Sequence, residues 1–473
     1  MASTQHLLDE IAHTPSGSGV GAFFDLDRTL IAGFSAQDIL TEQVMSRQIS
    51  LPKLFDGVAS AVEYSFGRIE FLEFVNRAAR DLGGRSEEEN YEFGQRVFDK
   101  RVAQRIYPEA RALVEAHRAK GHTMAVISSA TPYQVEPVAR DLGIEHVMCT
   151  RLQVENGICL GKVLEPACYG PGKAVAAHEL AEKFDLKLPR SYFYSDGIED
   201  LPLFEVVGNP RPLNPDAKLS DIARANGWPI TRFSSRGTPS TFQIMRTTAA
   251  YSAAIPAAAL SLTDYLFNGS AREARNLFTS LWGELASAAI DLKISVSGEQ
   301  HLWSNRPAVF VFNHQSALDA LVMVKLLRKD ITSIAKKELA SQPFIGQMAS
   351  MFGTIFIDRA NTQKAIEAMA PAVKALQSGT SVLIAPEGTR SVTNQLGAFK
   401  KGAFHLALQG GVPMIPVVIR NTTDSMPKGA FFARRGRVEV VVLPPIDTSS
   451  WSAGTIGDHV DEVRNLFLHE LDQ

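Results

Sequence analysis

The sequence predicts an α/β protein built from two domains, and three observations carry that prediction. At 473 residues the chain is about three domain-lengths, at roughly 150 residues each. Apolar residues make up 45% and charged residues 21%, the balance of an ordinary globular protein rather than a disordered or fibrous one. In both halves short apolar runs alternate with helix-like stretches, which is the pattern of parallel sheets with helical crossovers. The formal net charge of −3 gives no reason to expect a nucleic-acid partner. Cys149, Cys159 and Cys168 show no CxxC spacing, which excludes a disulfide framework and a zinc site and points to a reducing compartment. The start, MASTQHLLDEIAHTPS, lacks the basic lead and apolar run of a signal peptide. The expected location is therefore the cytoplasmic side. No feature of the sequence sets an oligomeric state.

In the first half, residues 20–24 (VGAFF), 123–127 (TMAVI) and 191–194 (SYFY) read as buried strands, with helical patterns over 108–120 and 172–184. Residues 36–105 break this rhythm and are expected to form a helical insertion after the first strand. A Pro/Gly/Ser-rich stretch over 208–240 closes the domain, with SSRGTPST as linker. The expected division is a domain at 1–235, a linker with a helical hairpin at 236–293, and a domain at 294–473.

The hairpin is the one membrane-suspicious segment. Residues 247–263 are 17 residues without a formal charge, interrupted by Pro256. That is shorter than the roughly 20 apolar residues a span requires. Residues 272–292 place Leu277, Phe278, Leu281, Trp282, Leu285 and Ala289 at helical spacing, with Arg272 and Arg275 on the polar side. Two such helices suit a monotopic hairpin that dips into one leaflet. Beyond them, residues 308–312, 354–357, 381–385, 414–419 and 437–443 read as strands of a second sheet. Between Lys400 and Arg437 seven basic residues stand against Asp424 alone, which favours an anionic surface or ligand.

The first candidate site begins where VGAFF runs into Asp25-Leu-Asp27-Arg-Thr. Residues at i and i+2 share a side at a strand end, so two carboxylates converge, one to attack phosphorus and one to handle protons. Ser128 ends a second strand before a helix start, where phosphate oxygens can be held. Lys173 opens another helix and can neutralise phosphate charge. Asp196 and Asp200, in SDGIED at a third strand end, add hard oxygen ligands of the kind Mg²⁺ takes. The ordered set DLDRT, ISS, GKA, SDGIED resembles the haloacid dehalogenase-like phosphatases, in the branch containing phosphoserine phosphatase, over roughly residues 20–225. The resemblance implies a Rossmann-like domain whose insertion at about 36–105 is a substrate-selecting cap. It further implies Asp25 as phosphorylated nucleophile, Asp27 as general acid/base, and phosphate contacts from Ser128 and Lys173. Mg²⁺ would be held by Asp25, Asp196 and the Asp27 carbonyl, supported by Asp200. Arg28 and Gly197 depart from the residues frequent in that branch, without removing a reactive group.

The second candidate site begins where AVFVF meets Asn313-His314-Gln-Ser-Ala-Leu-Asp319. An Asp five positions past the His can hold the imidazole in one tautomer, leaving it to take a proton from a substrate hydroxyl. Arg359 ends a later strand with a fork suited to phosphate. Glu387, Gly388 and Arg390 follow the next, with Gly388 letting backbone approach a ligand, and Pro413 and Pro416 stiffen the entry to another. NHxxxxD, FIDR, PEGTRS and VPMIPV in this order resemble the glycerolipid acyltransferases, in particular 1-acylglycerol-3-phosphate acyltransferase, over about residues 245–460. The resemblance implies an α/β acyltransferase domain with His314 as general base and Asp319 as its orienting partner. It places glycerol phosphate on Arg359, Glu387, Gly388 and Arg390, with Lys336 and Lys337 nearby, and the acyl donor at Pro413 and Pro416.

Together these readings predict a bifunctional, membrane-associated bacterial enzyme. One domain would acylate lysophosphatidate to phosphatidate from acyl-CoA or acyl-carrier protein. The other would hydrolyse a phosphomonoester with Mg²⁺, its substrate a lipid phosphate such as lysophosphatidate. The alternatives are phosphoserine or another small metabolite as substrate, or a regulatory binding module in place of a phosphatase. The expected setting is the cytoplasmic face of the inner membrane.

Overall fold

A strand covered by helices on both faces has to be apolar throughout, and β1 (Gly21–Phe24) is buried at every position. The computed structural model describes residues 4–46, 56–57, 59–60, 63, 68–237, 239–342, 345–357, 369–391 and 396–471. The chain divides into two compact units, Met1–Thr238 and Pro239–Gln473.

In the N-terminal unit β1 is followed by β2 (Thr123–Ser128), β3 (His146–Cys149), β4 (Leu152–Glu155), β5 (Ile158–Val163), β6 (Tyr192–Ser195) and β7 (Asn209–Pro212). Five of them form a parallel sheet in the order β3-β2-β1-β6-β7. Phe24 is in register with Val126 and with Tyr194, so the residues that follow β1, β2 and β6 leave the sheet at one edge. The prolines of β7 are tolerated because it is an edge strand, bonded only to β6. The described part of the 36–105 insertion is helical, with Ser35–Met45, Phe71–Arg80 and Glu87–Val97, the last opened by a Ser86/Glu89 capping box.

The sequence reading placed no strands at β4 and β5. They form a hairpin whose turn residues Asn156 and Gly157 both have positive φ, 51° and 76°, as a primed two-residue turn requires. The hairpin completes the cap: Leu152, Cys159 and Val163 bury against Ala79 and Tyr133, and Val163 N–H donates to Asn76 Oδ1 at 2.9 Å.

Behind β6 lies a chain of buried rings. His117 Nε2 meets Tyr194 Oη at 2.8 Å, His117 Nδ1 meets His122 Nδ1 at 2.8 Å, and His122 Nε2 meets the Pro15 carbonyl at 3.0 Å. One proton arrangement satisfies all three contacts: Tyr194 donates to His117, His117 to His122, and His122 to Pro15. Both imidazoles are then neutral, and a further proton would set two N–H groups against each other. Burial and the neighbouring His122 hold His117 down to about 3, and burial lowers His122. The unfolded chain therefore binds more protons than the folded one below about pH 6.5. Stability from this pair is complete above that pH and drains as pH falls toward 3, by about 1.4 kcal/mol per unit for His117 alone. Urea midpoints measured from pH 7 to 4.5 should fall more steeply in the wild type than in His117→Gln.

The C-terminal unit contains β8 (Leu292–Ser297), β9 (Val309–Phe312), β10 (Ile331–Lys336), β11 (Ile355–Ile357), β12 (Ser381–Ile384), β13 (Met414–Arg420) and β14 (Gly436–Val442). They form one sheet in the order β11-β10-β12-β9-β13-β14-β8, with β9 at its centre and β13–β14 its antiparallel pair. Helices Thr241–Ser252, Ala254–Asn268 and Ala271–Ala289 belong to this unit rather than to a separate linker. Gly283 lets the third lie close on helix Leu318–Leu327: a Cβ there would stand 3.1 Å from Lys325 Cα. The uncharged stretch over 247–263 is divided between two helices at Ala253, which puts Pro256 in a first turn, where a missing N–H forfeits no helical bond. Among the described residues no helix is long and apolar enough to cross a membrane.

Candidate active sites

At the end of β1, Asp25 N–H donates to the Tyr194 carbonyl at 2.9 Å, which ties its backbone to the neighbouring strand. Its Oδ1 accepts from Lys173 Nζ at 2.7 Å, and the same ammonium reaches Asp200 Oδ2 at 2.8 Å. Lys173 stands in the first turn of helix Pro171–Phe184 and is almost fully buried. Burial alone would lower its pKa, but Asp200 and Asp25 outweigh this and raise it, so the lysine stays charged. Ser195 Oγ donates to Asp200 Oδ2, while Asp200 Oδ1 is buried with no hydrogen-bond partner among the described residues.

Asp27, two residues on, bonds to the start of helix Ser35–Met45. It accepts from Ser35 N–H at 2.7 Å and Ser35 Oγ at 3.2 Å, and Gln134 Nε2 holds that hydroxyl at 2.9 Å. Asp196, just past β6, is paired with Arg28 Nη1 at 3.0 Å. Arg28 has φ 58°, uncommon for a residue with a side chain, and Asn214 Nδ2 fixes its carbonyl at 2.8 Å. Ser128 is buried at the end of β2, where its Oγ accepts from Ala130 N–H at 3.3 Å.

Desolvation raises all three carboxyls that lead the site: Asp25 to about 7 against the pull of Lys173, Asp27 to about 6, and Asp196 to about 8. Burial thus disfavours the charged form of all three, and Lys173 offsets this at Asp25 as Arg28 does at Asp196. Among the described residues no three acidic, histidine or cysteine side chains close around one point, and Lys173 and Arg28 occupy the carboxylates instead. The unpartnered Asp200 Oδ1 and the all-oxygen donor set nonetheless suit a small hard cation.

In the C-terminal unit His314 follows the central strand β9. Its Nδ1 lies 2.9 Å from Asp319 Oδ2, and that oxygen also accepts from the N–H groups of Gln315 at 2.7 Å and Ser316 at 2.8 Å. Asp319 Oδ1 accepts from Thr422 Oγ1 at 2.6 Å. The buried carboxylate requires Nδ1–H toward it, which leaves Nε2 as the basic nitrogen of a partly exposed ring. Asn313 ties the end of β9 to β13 through two bonds with Ile419, Nδ2 to carbonyl at 2.8 Å and N–H to Oδ1 at 2.7 Å.

Glu387 is held by two backbone groups. Its Oε1 accepts from His314 N–H at 2.7 Å and its Oε2 from Gly397 N–H at 2.9 Å, and it is buried. Both carboxylate oxygens are thus engaged on backbone N–H groups, so Glu387 ties the turn after β12 to His314. Ser391 N–H meets the His314 carbonyl at 2.8 Å, so both backbone groups of the histidine are held by the segment after β12. Gly388 has φ 74°, a turn that side chains rarely adopt. The Arg390 carbonyl accepts from Lys428 Nζ at 2.7 Å. Lys336 and Lys337 are exposed at the end of β10, and Pro416 is buried inside β13. Arg359 lies outside the described residues. The sequence reading did not single out Ser35, Gln134, Asn313 as a strand tie, or Thr422; of these only Asn313 sits within a motif.

Fold and sites define a two-domain enzyme, with a buried carboxylate–lysine site in one unit and a His–Asp pair in the other. An acyltransferase family model matches residues 293–420, and the haloacid dehalogenase-like hydrolase model matches residues 22–205. Curated relatives include 1-acyl-sn-glycerol-3-phosphate acyltransferases of Limnanthes alba and Saccharomyces cerevisiae. The first is 34% identical over 197 residues, 41% of this chain and 69% of the relative; the second is 37% identical over 186 residues, 38% of this chain and 61% of the relative. Similar solved structures include PlsC, the 1-acyl-sn-glycerophosphate acyltransferase of Thermotoga maritima, with 23% identity over 49% of this chain and 93% of that one, TM-score 0.43. Another is a phospho-aspartyl intermediate analogue of phosphoserine phosphatase, with 18% identity over 46% and 93%, TM-score 0.36. The chain belongs to the 1-acyl-sn-glycerol-3-phosphate acyltransferase family and carries, ahead of that domain, a haloacid dehalogenase-like hydrolase domain.

Glu387→Gln separates a backbone clamp from a phosphate contact. The amide replaces one acceptor by a donor facing an N–H, so stability should fall by about 1–3 kcal/mol and kcat with it, while KM for the phosphate-bearing acceptor holds. A rise in KM alone would return Glu387 to the phosphate. Lys173→Met strands two buried carboxylates, and the N-terminal unit should lose about 3–5 kcal/mol in chemical denaturation.

Proposed function

We propose that this chain acylates 1-acylglycerol 3-phosphate at its free hydroxyl and also hydrolyses a phosphomonoester, at the cytoplasmic face of a bacterial inner membrane. The observation that carries the first activity is the His314–Asp319 pair, with Nδ1 committed to Asp319 and Nε2 left basic. Nε2 takes the proton of the acceptor hydroxyl as that oxygen attacks the thioester carbonyl of acyl-CoA or acyl-carrier protein. The C–O bond forms, the C–S bond breaks, and the imidazolium returns its proton to the leaving sulfur. Asp319, bonded to Nδ1, orients and stabilises the imidazolium. Arg359, Gly388 and Arg390 are the residues proposed to hold the acceptor's phosphate.

In the other unit Asp25 attacks phosphorus and the ester P–O bond breaks, with Asp27 supplying the proton to the leaving oxygen. Asp27 then takes a proton from the water that frees phosphate from Asp25. Lys173, held by Asp25 and Asp200, and Ser128 are the residues proposed to receive phosphoryl oxygens. Asp25, Asp196 and Asp200, with the Asp27 carbonyl, would hold Mg²⁺. Bound there, Mg²⁺ supplies charge neutralisation to the phosphoryl group. A lipid phosphate is the proposed substrate, since the neighbouring domain's relatives are named for one.

Membrane association is supported by the helices at the start of the C-terminal unit. Phe242, Met245, Ile255, Leu262, Leu266 and Phe267 are exposed, the last two at 75% and 83%. Residues 255, 262 and 266 fall on one helical stripe, the kind of apolar surface that lies in a lipid interface.

Thiol release from acyl-CoA with lysophosphatidate should fall about 10²- to 10⁴-fold in His314→Ala. Asp25→Asn or chelation of divalent cations should abolish phosphate release from lysophosphatidate and leave acyl transfer intact. Release from phosphoserine but not from the lipid would overturn the lipid-phosphate reading. Leu266→Asp with Phe267→Asp should reduce co-sedimentation with anionic phospholipid vesicles.

A further inference from the structure

Asp319 is fully buried, and its two oxygens are engaged differently. Oδ2 takes His314 and two N–H groups of its own turn, whereas Oδ1 takes a hydroxyl from Thr422, 103 residues further along the chain. The local turn therefore fixes one oxygen and leaves rotation about the Cβ–Cγ bond to be set by the other. At 2.6 Å the Thr422 contact is a short, charge-assisted hydrogen bond, which is the strong kind.

Thr422 is itself held from both sides. Upstream, Ile419 is bonded twice to Asn313, the residue before the histidine. Asn421 then turns the chain with φ 67°, and Thr422 opens the single-turn helix Thr422–Ser425 with its side chain fully buried. Downstream, the Met426 carbonyl accepts from Ser316 Oγ at 2.6 Å, and Ser316 lies inside the His314–Asp319 turn. Met426 N–H in turn donates to the Thr422 carbonyl at 2.9 Å. The segment after β13 is thus clamped onto the turn that carries the base at Asn313 and at Ser316, and Thr422 sits between the clamps.

We propose that Thr422 is a positioning residue of the acyl-transfer site, its hydroxyl fixing the plane of the Asp319 carboxylate and through it the His314 ring. This rests on the acyl-transfer reading of His314. Thr422 is fully buried behind Asp319 and is bonded to that carboxylate. Its loss should therefore act on turnover, where the imidazolium forms and needs an aligned anion, and not on substrate binding.

The test is steady-state acyl transfer by the full chain, with lysophosphatidate and acyl-CoA, for Thr422→Val, Thr422→Ser, Thr422→Ala and His314→Ala. Valine keeps the shape and removes the hydroxyl; serine keeps the hydroxyl and removes the methyl. We expect kcat to fall about 10- to 100-fold in Thr422→Val, with both KM values within about twofold. Thr422→Ser should stay near wild type and Thr422→Ala should follow valine. If the valine variant does not fold, the serine and alanine variants make the same comparison. Wild-type kcat in valine and alanine while His314→Ala is inactive overturns the positioning role alone. So does an earlier unfolding transition of the C-terminal unit with kcat unchanged, or a serine variant as slow as alanine. An active His314→Ala overturns the acyl-transfer reading and this inference with it.

Discussion

A carboxylate withdrawn from water has to be given donors or cations in exchange, and both sites of this chain are arranged around that requirement. The two units meet it in opposite ways. In the N-terminal unit, cations do it: Lys173 lies between Asp25 and Asp200, and Arg28 lies on Asp196. Here the compensating charges are themselves side chains, and Lys173 is buried with the carboxylates it joins. In the C-terminal unit, fixed dipoles do it: backbone N–H groups and a hydroxyl surround Asp319. Compensation by fixed dipoles leaves nothing to rearrange, which suits an anion whose task is to remain charged beside an imidazole.

The same sheet logic delivers both arrangements. In each unit a central parallel strand, β1 or β9, ends in the reactive residues, and its neighbours end beside it. Ligands of open α/β sheets gather at these carboxyl ends because helix starts and loop N–H groups point there. The C-terminal unit adds cross-ties, with Asn313 joining β9 to β13 and Glu387 joining the turn after β12 to His314. The geometry of His314 therefore depends on three separate stretches of chain.

Residues attached to strand ends were legible because strand position and i, i+2 spacing decide where such side chains emerge. That is how Asp25 and Asp200 come to be read together, with Lys173 added from a helix start, and the structure bonds Lys173 to both. Glu387 shows the limit of the method. A carboxylate beside a glycine at a strand end can turn toward a ligand or inward to backbone, and spacing is the same in both cases. Thr422 shows a different limit, since a lone threonine past the final motif has no partner within range of any local pattern. Some strands were hidden for ordinary reasons. β7 carries two prolines, admissible only at an edge that the sequence does not declare, and β8 follows an amphipathic helix that masks its own alternation. The β4–β5 hairpin was legible in principle, because Asn156-Gly157 between apolar alternations is a strong turn signal.

Each unit has its own sheet and its own buried clusters, with Phe23, Phe193 and Phe204 in one and Phe310, Phe404 and Phe467 in the other. A chain with two cores has no single melting temperature in the thermodynamic sense, because two-state behaviour belongs to a core rather than to a polypeptide. Heat, acid or a destabilising substitution acts on whichever core it reaches. The two chemistries on this chain can then age at different rates, and a preparation that has lost one of them says little about the other.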